Sequence, residues 1–161
     1  MNIFYNKDYV IENQVKKDKN IIYGARSIKK RLGWFGRETS DYDIYSNSPK
    51  RSALKLDRTL DKGSKSNSFY TKPALHKGTY KVMNVGFDRI KGTSDDYGIA
   101  DFTKPKGRIK TTTIQGIKYD MLSEERKNKL KSLKDKKMAF RHEKDRNDLN
   151  RINIFNLVRK Y

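Results

Sequence analysis

The sequence contains no cysteine, which removes disulfides, thiolate zinc sites and cysteine nucleophiles from consideration. Its two histidines, His76 and His142, lie far apart and without metal-ligand spacing. Any metal chemistry therefore falls to carboxylates. Tryptophan occurs once and proline three times. No apolar run approaches the roughly 18 residues that would be read as a membrane span. The N-terminal stretch MNIFYNKDYVIEN also lacks the basic, then apolar, then small pattern of a secretory signal. These absences lead us to expect a soluble, cytoplasmic protein without a membrane partner.

What the chain does have is positive charge. Thirty-eight Lys and Arg face 19 Asp and Glu, a formal net charge of +19. A field of this sign attracts polyanions, nucleic acid foremost; the plainer reading is that the lysines only keep a thin-cored protein soluble. The core is indeed thin. Leu, Ile, Val and Phe make up 35 of 161 residues, just above the roughly 20% below which highly charged chains are usually disordered. Ten tyrosines add ring area to it. The abundance of Lys, Asn and Ile suggests an AT-rich genome, such as that of a virus or mobile element.

At 161 residues one domain is expected. Tyr5, Tyr9, Val10, Ile11 and Val15 allow a short helix near the start. IIYGARSIKKRLG reads as strand, turn and helix, the helix ending near Gly33. DYDIYS alternates as a strand. Ser48-Pro49 then opens a helix as cap and first position, with Ala53, Leu56 and Leu60 on one face and Gly63 at its end. Two strand candidates follow in FYTKPAL, where Pro73 suits an edge, and GTYKVMNVG. YGIADFT is a further strand, with alternation placing Tyr97, Ile99, Asp101 and Thr103 on one face. A hairpin turns at Gln115-Gly116. Ser123 caps a lysine-rich helix, and a last helix spans about 145 to 159 with Leu149, Ile152 and Phe155 along it. Strands interleaved with helices, then a helical tail, describe an α/β (α+β) domain, with an α/β core over 21–120 and helices over 121–161.

One stretch resists a structural explanation. In RETSDYDIY, Asp41 and Asp43 project to one side of a strand about 7 Å apart with nothing between them to neutralise either. Solvation alone accounts for an isolated pair of this kind. Three neighbours add to it. Gly24-Ala25-Arg26-Ser27 forms a strand-to-helix turn where backbone N–H groups can meet a phosphate. Arg37, Thr39 and Ser40 bring a cation and hydroxyls to the mouth of the strand. Asp101 sits in a later strand, and three carboxylates from two strands suit a two-metal clamp with ions about 3.5–4 Å apart. Asp88, Asp95 and Asp96 are the other acids nearby, in a turn-like segment.

These residues together resemble the nucleotidyltransferase superfamily related to DNA polymerase β. The order is G-x-R-S, a helix, R-x-T-S-D-Y-D-I-Y, a helix after S-P, and a third aspartate in I-A-D-F. Arg141-x-x-Lys144-Asp145-x-x-Asp148-Leu149 is similar to the R-x-x-K-D-x-x-D-L helix of the minimal and AbiEii-like branches. The likeness runs from residue 21 to about 155. Where that family carries Gly-Gly or Gly-Ser, this chain has Gly24-Ala25, with Ser27 two positions on.

The resemblance implies a mixed β-sheet flanked by helices, with a C-terminal helical segment. It also implies transfer of NMP from an NTP, ATP foremost, to an acceptor hydroxyl. Asp41, Asp43 and Asp101 would be the catalytic and metal-binding residues, holding Mg²⁺ or Mn²⁺. Gly24 and Ser27 would approach the β and γ phosphates. Arg37 would clamp phosphate or pair with an acid, Lys144 would reach the triphosphate, and Asp145 would orient Lys144. The positive charge makes an RNA 3′ end the expected acceptor, with a dimer or a partner subunit extending the grip of so short a chain. Two other functions stay open: a non-catalytic nucleic-acid-binding domain, and a toxin or antitoxin-type transferase that modifies tRNA or a partner protein. Trp34 and Phe35 are expected as core anchors rather than base-stacking groups, and the Lys127–Lys137 series as a solvated helix face or an RNA contact.

Overall fold

The computed structural model describes residues 6–160, so Tyr5 lies outside the described residues. The chain runs α1 (Lys7–Asp18), β1 (Ile21–Tyr23), α2 (Gly24–Leu32), a 3₁₀ turn (Gly33–Phe35), β2 (Tyr42–Tyr45) and α3 (Pro49–Ser64). It continues through β3 (Phe69–Pro73), β4 (Thr79–Asn84), β5 (Tyr97–Thr103), β6 (Thr111–Ile114) and β7 (Ile117–Asp120). The tail comprises α4 (Leu122–Lys134), a second 3₁₀ turn (Lys136–Arg141) and α5 (His142–Val158). Among the described residues no helix is long and apolar enough to cross a membrane.

The seven strands form one mixed sheet in the order β3-β4-β5-β2-β1-β7-β6. At its centre β2 pairs in parallel with β5 and antiparallel with β1, which in turn pairs in parallel with β7. Alternation along these strands sends Ile22, Tyr42, Ile44, Val82, Phe102, Ile117 and Tyr119 to one face. There they meet Ile11 and Val15 of α1 and Ala53, Leu56 and Leu60 of α3 in the main core. A smaller cluster joins Ile28 and Leu32 of α2 to Ile152 of α5, with Phe35, Leu122 and Phe155 against it. Pro73 ends the edge strand β3, where the lost N–H breaks no internal ladder.

Several expectations are corrected in detail. Asp41 precedes β2 rather than lying in it. Ile99 does not share a face with Asp101: the β4–β5 pairing shifts register between Val82 and Met83 and skips Ile99. Ile99 and Ala100 both enter the core, as expected when a bulge sets two residues against one. α3 runs through Gly63 to end on Lys65 at φ 51°, and Ser48 occupies its N-cap position without a side-chain cap bond. α4 starts from Met121, so Ser123 lies within its first turn and does not cap it. Trp34 is 81% exposed, and only Phe35, stacked on it, reaches the core. The Gln115-Gly116 hairpin is present, with φ of 52° and 79° at those residues, the positive pair that tight hairpins need.

Candidate active site

The sheet face opposite the main core carries a polar row. In the β2–β5 pairing Asp43 stands directly opposite Asp101. On its other side Asp43 faces Tyr23 of β1, and Asp101 faces Lys81 of β4. The row therefore reads Tyr23, Asp43, Asp101, Lys81 across four adjacent strands. Tyr23 stacks on Tyr45 with ring centroids 3.8 Å apart, and its hydroxyl donates to Thr103 Oγ1 at 3.3 Å. These rings form a firm floor beside the carboxylates.

Above this floor lies a cleft of about 760 Å³. Its acids are Asp43, Asp101, Glu125, Asp135 and Asp145, and its rim carries Lys77, Lys104, Lys106, Lys131 and Arg141. Buried Lys129 lines it too and Asp135 is exposed, so cations and carboxylates share the walls, a mix that suits a ligand bringing phosphate and metal together.

Crowding controls the charge of these acids. Burial, then the neighbouring Asp41, Asp101 and Glu125 carboxylates, push Asp43 up to about 7, against the pull of Arg141. Burial also raises Asp101, opposed by the Lys81 ammonium 3.2 Å from its Oδ2. Gly24 explains how the turn fits: at φ 71° it occupies the left-handed region, and a Cβ there would sit 2.5 Å from Asp43 Oδ2. Its N–H donates to the Glu125 carboxylate, which α4 brings back against the β1–α2 turn.

The other residues singled out in the sequence are placed differently. Asp41 is exposed, and its carboxylate accepts the Thr39 hydroxyl at 2.8 Å. Ser27 is fully buried; its hydroxyl donates to the Asp120 carbonyl at 3.2 Å and accepts from Arg31. Arg37 binds Asp148 through two guanidinium nitrogens, at 3.2 and 3.3 Å. Lys144 is exposed on α5 and does not line the cleft. Asp145 is held by Lys129, Ser132 and Arg141 rather than by Lys144.

Glu125 and Asp120 were not singled out, and Lys129, expected in the Lys127–Lys137 series as a solvated face or an RNA contact, is instead buried between Asp145 and Asp148. Asp120 is 0% exposed, and its pKa is pushed well up by burial and by the adjoining Glu125. Arg31 lies 3.6 Å from its carboxylate. SEER at 123–126 signals a helix start, but nothing local in it shows that Glu125 turns toward Gly24.

The donor set fits a hard divalent cation: Asp43 and Asp101 are paired, Asp41 is two residues away, and Gly24, having no Cβ, lets the β1–α2 turn lie directly against the Asp43 carboxylate. The three are not drawn tightly together, since Asp41 turns to Thr39 and Asp101 to Lys81. Among the described residues the acids whose oxygens all lie within 4.8 Å of one another are Asp88, Asp95 and Asp96. Those carboxylates tie the β4–β5 turn, Asp95 accepting from the Phe87 and Asp88 N–H groups and Asp96 from the Gly92 N–H.

No protein-family model matches the chain, and no curated protein does. Solved structures do. The crystal structure of the Megavirus polyadenylate synthase aligns with 91% of this chain at a TM-score of 0.69 and 19% identity. The fold is of the nucleotidyltransferase type. The chain spans 31% of the viral protein's length. JHP933 of Helicobacter pylori aligns with 77% of this chain and 53% of its own, at a TM-score of 0.49 and 10% identity. A candidate nucleotidyltransferase of the same bacterium gives 77%, 55%, 0.48 and 11%.

Proposed function

We propose that the chain transfers NMP from an NTP, ATP foremost, to the 3′ hydroxyl of RNA, using Mg²⁺ or Mn²⁺ held by Asp41, Asp43 and Asp101. The observation that carries this reading is the pairing of Asp43 with Asp101 at the floor of a cation-rimmed cleft. The two carboxylates repel, and only Asp101 has an ion-pair partner, Lys81, which supports reading the pair as a site that takes a cation. The nucleotidyltransferase-type fold and the formal charge of +19 agree with it.

In the reaction the acceptor oxygen attacks the α-phosphorus, the bond to the pyrophosphate oxygen breaks, and the hydroxyl proton leaves. A bound divalent cation would supply charge neutralisation at the α-phosphate and lower the pKa of the hydroxyl. The chain's own groups do the rest. Asp101, facing Asp43 across the β2–β5 pairing, would help orient and activate the acceptor hydroxyl. Gly24, having no Cβ, lets the β1–α2 turn lie against Asp43, so a polyphosphate bound at that carboxylate would sit beside the turn. Lys104, Lys106 and Arg141 on the rim draw the triphosphate in. Tyr23 and Tyr45 hold β1 and β2 in register beneath it.

The test is incubation of the protein with each labelled NTP, Mg²⁺ or Mn²⁺, and total RNA, beside the Asp43→Asn variant. Labelled RNA with wild type alone is expected. Label in a protein band instead would move the acceptor to protein, and silence throughout would leave a binding domain that has kept the fold.

A further inference from the structure

A second cavity, of about 810 Å³, lies beside the cleft and shares Gly78 and Lys104 with it. The N-terminal half of α3 forms one wall, and β4 contributes Tyr80. Every charged residue along it is a cation: Lys50, Arg51, Lys55, Arg58 and Lys104. Lys55 is paired with Asp18 of α1. The other four have no acidic partner among the described residues. Arg51, Lys55 and Arg58 follow one another at i, i+4 and i+7, a stripe about 10 Å long on a single helix face. Pro49, Leu54 and Tyr80, the last half-buried with part of its side chain packed on the main core, line it as well.

This pattern is more than solubility requires, because solvated lysines scatter over convex surface rather than line one concavity. A lone phosphate would ask for converging donors, whereas these cations are strung out. Cations spaced along a groove with apolar and aromatic surface beside them match a single-stranded nucleic acid, whose phosphates repeat and whose bases present flat faces. A duplex would present only its backbone and leave the Tyr80 wall unused.

We infer that the α3 groove holds the acceptor RNA strand just upstream of its 3′ end, and that the strand enters the cleft past Gly78 and Lys104. This rests on RNA being the acceptor. It assigns Lys50, Arg51 and Arg58 to phosphates and Tyr80 with Leu54 to bases.

The test is binding of a labelled single-stranded RNA about 15 nucleotides long, followed by fluorescence anisotropy at several salt concentrations. Wild type is compared with the combined Lys50→Gln, Arg51→Gln, Arg58→Gln variant. The control is Lys17→Gln, Lys62→Gln, Arg146→Gln, which removes three exposed cations that line neither cavity. Unchanged melting temperatures establish that both variants fold. The groove variant is expected to bind at least about tenfold more weakly, with the slope of log K against log salt reduced by about 2, roughly 0.7 per phosphate contact. The control should stay within about threefold of wild type. Equal loss in both variants, or none in the groove variant, overturns the inference. With a dinucleotide acceptor, too short to reach α3, the groove variant should transfer NMP as wild type does, while its KM for the long RNA rises. Failure of wild type to transfer at all would defeat the proposed function and leave the binding comparison to decide the groove.

Discussion

Asp43 of β2 and Asp101 of β5 face each other across the central parallel pairing of the sheet, and Asp43 is raised to about 7 by burial and by its acidic neighbours. The folded chain therefore retains a proton that the unfolded chain, with an ordinary aspartate near 4, has released. Stability from this group is complete below pH about 4 and declines as the pH rises to about 7.

In metal-free buffer the melting temperature should accordingly fall between pH 5 and 8. Asp43→Asn removes the ionisation, so at pH 8 it should be more stable than wild type by about 1–3 kcal/mol while losing transfer. Asp120 and Asp101, both raised as well, keep a residual slope in that variant. Mg²⁺ added at pH 8 should raise the melting temperature of wild type more than that of Asp43→Asn. Scanning calorimetry reads all of this, and a wild-type profile flat from pH 5 to 8 would show that the carboxylates are not crowded.

Gly24 and Gly33 separate strain from collision. Both have positive φ, 71° and 59°, but an added Cβ at Gly33 meets nothing within 4 Å, whereas at Gly24 it meets Asp43 Oδ2. Gly33→Ala should cost about 1 kcal/mol from backbone strain alone. Gly24→Ala should cost about 2–3 kcal/mol and lower kcat by more than its loss of folded protein explains, since it displaces Asp43. Chemical denaturation with kinetics on the folded fraction checks both; equal behaviour of the two variants would remove Gly24 from the site.

The legible parts of the sequence were those with local period. Alternation in DYDIY separated Asp43 from the core residues Tyr42 and Ile44 of β2, and helical spacing placed Ala53, Leu56 and Leu60, whereas in YGIADF alternation misplaced Ile99 on the face of Asp101. The bulge that carries Ile99 into the core leaves no mark in its own strand, because it is a mismatch with β4. Glu125 reaches Gly24 across 101 residues, and Lys129 reads as one more surface lysine until α5 packs on it. Ser27, expected at a phosphate from its place after Gly24, lies inside α2, and the partner its hydroxyl takes is set by where β7 ends. Such contacts depend on the assembled sheet and helices rather than on any window of sequence.

Arg37 offers the last discrimination, between a clamp on phosphate and a buttress of the tail. It reaches Asp148, which is buried and also lies 3.1 Å from Lys129 Nζ; Lys129, 4% exposed, in turn holds Asp145 at 3.2 Å. Lys129 thus sits between two buried carboxylates, and Lys129→Ala should cost about 3 kcal/mol, since it removes the buried cation they share and leaves Asp148 to Arg37 and Asp145 to Arg141 and Ser132. Arg37→Ala leaves Asp148 with Lys129 and should cost only about 1–2 kcal/mol. At temperatures where the variant is fully folded its KM for NTP should match wild type, because the guanidinium is already committed to Asp148. Lys144→Ala should also leave KM unchanged, the side chain being exposed and off the cleft. A rise in KM for Arg37→Ala with no change in melting temperature would reverse the assignment, making the ion pair a resting state that the triphosphate displaces.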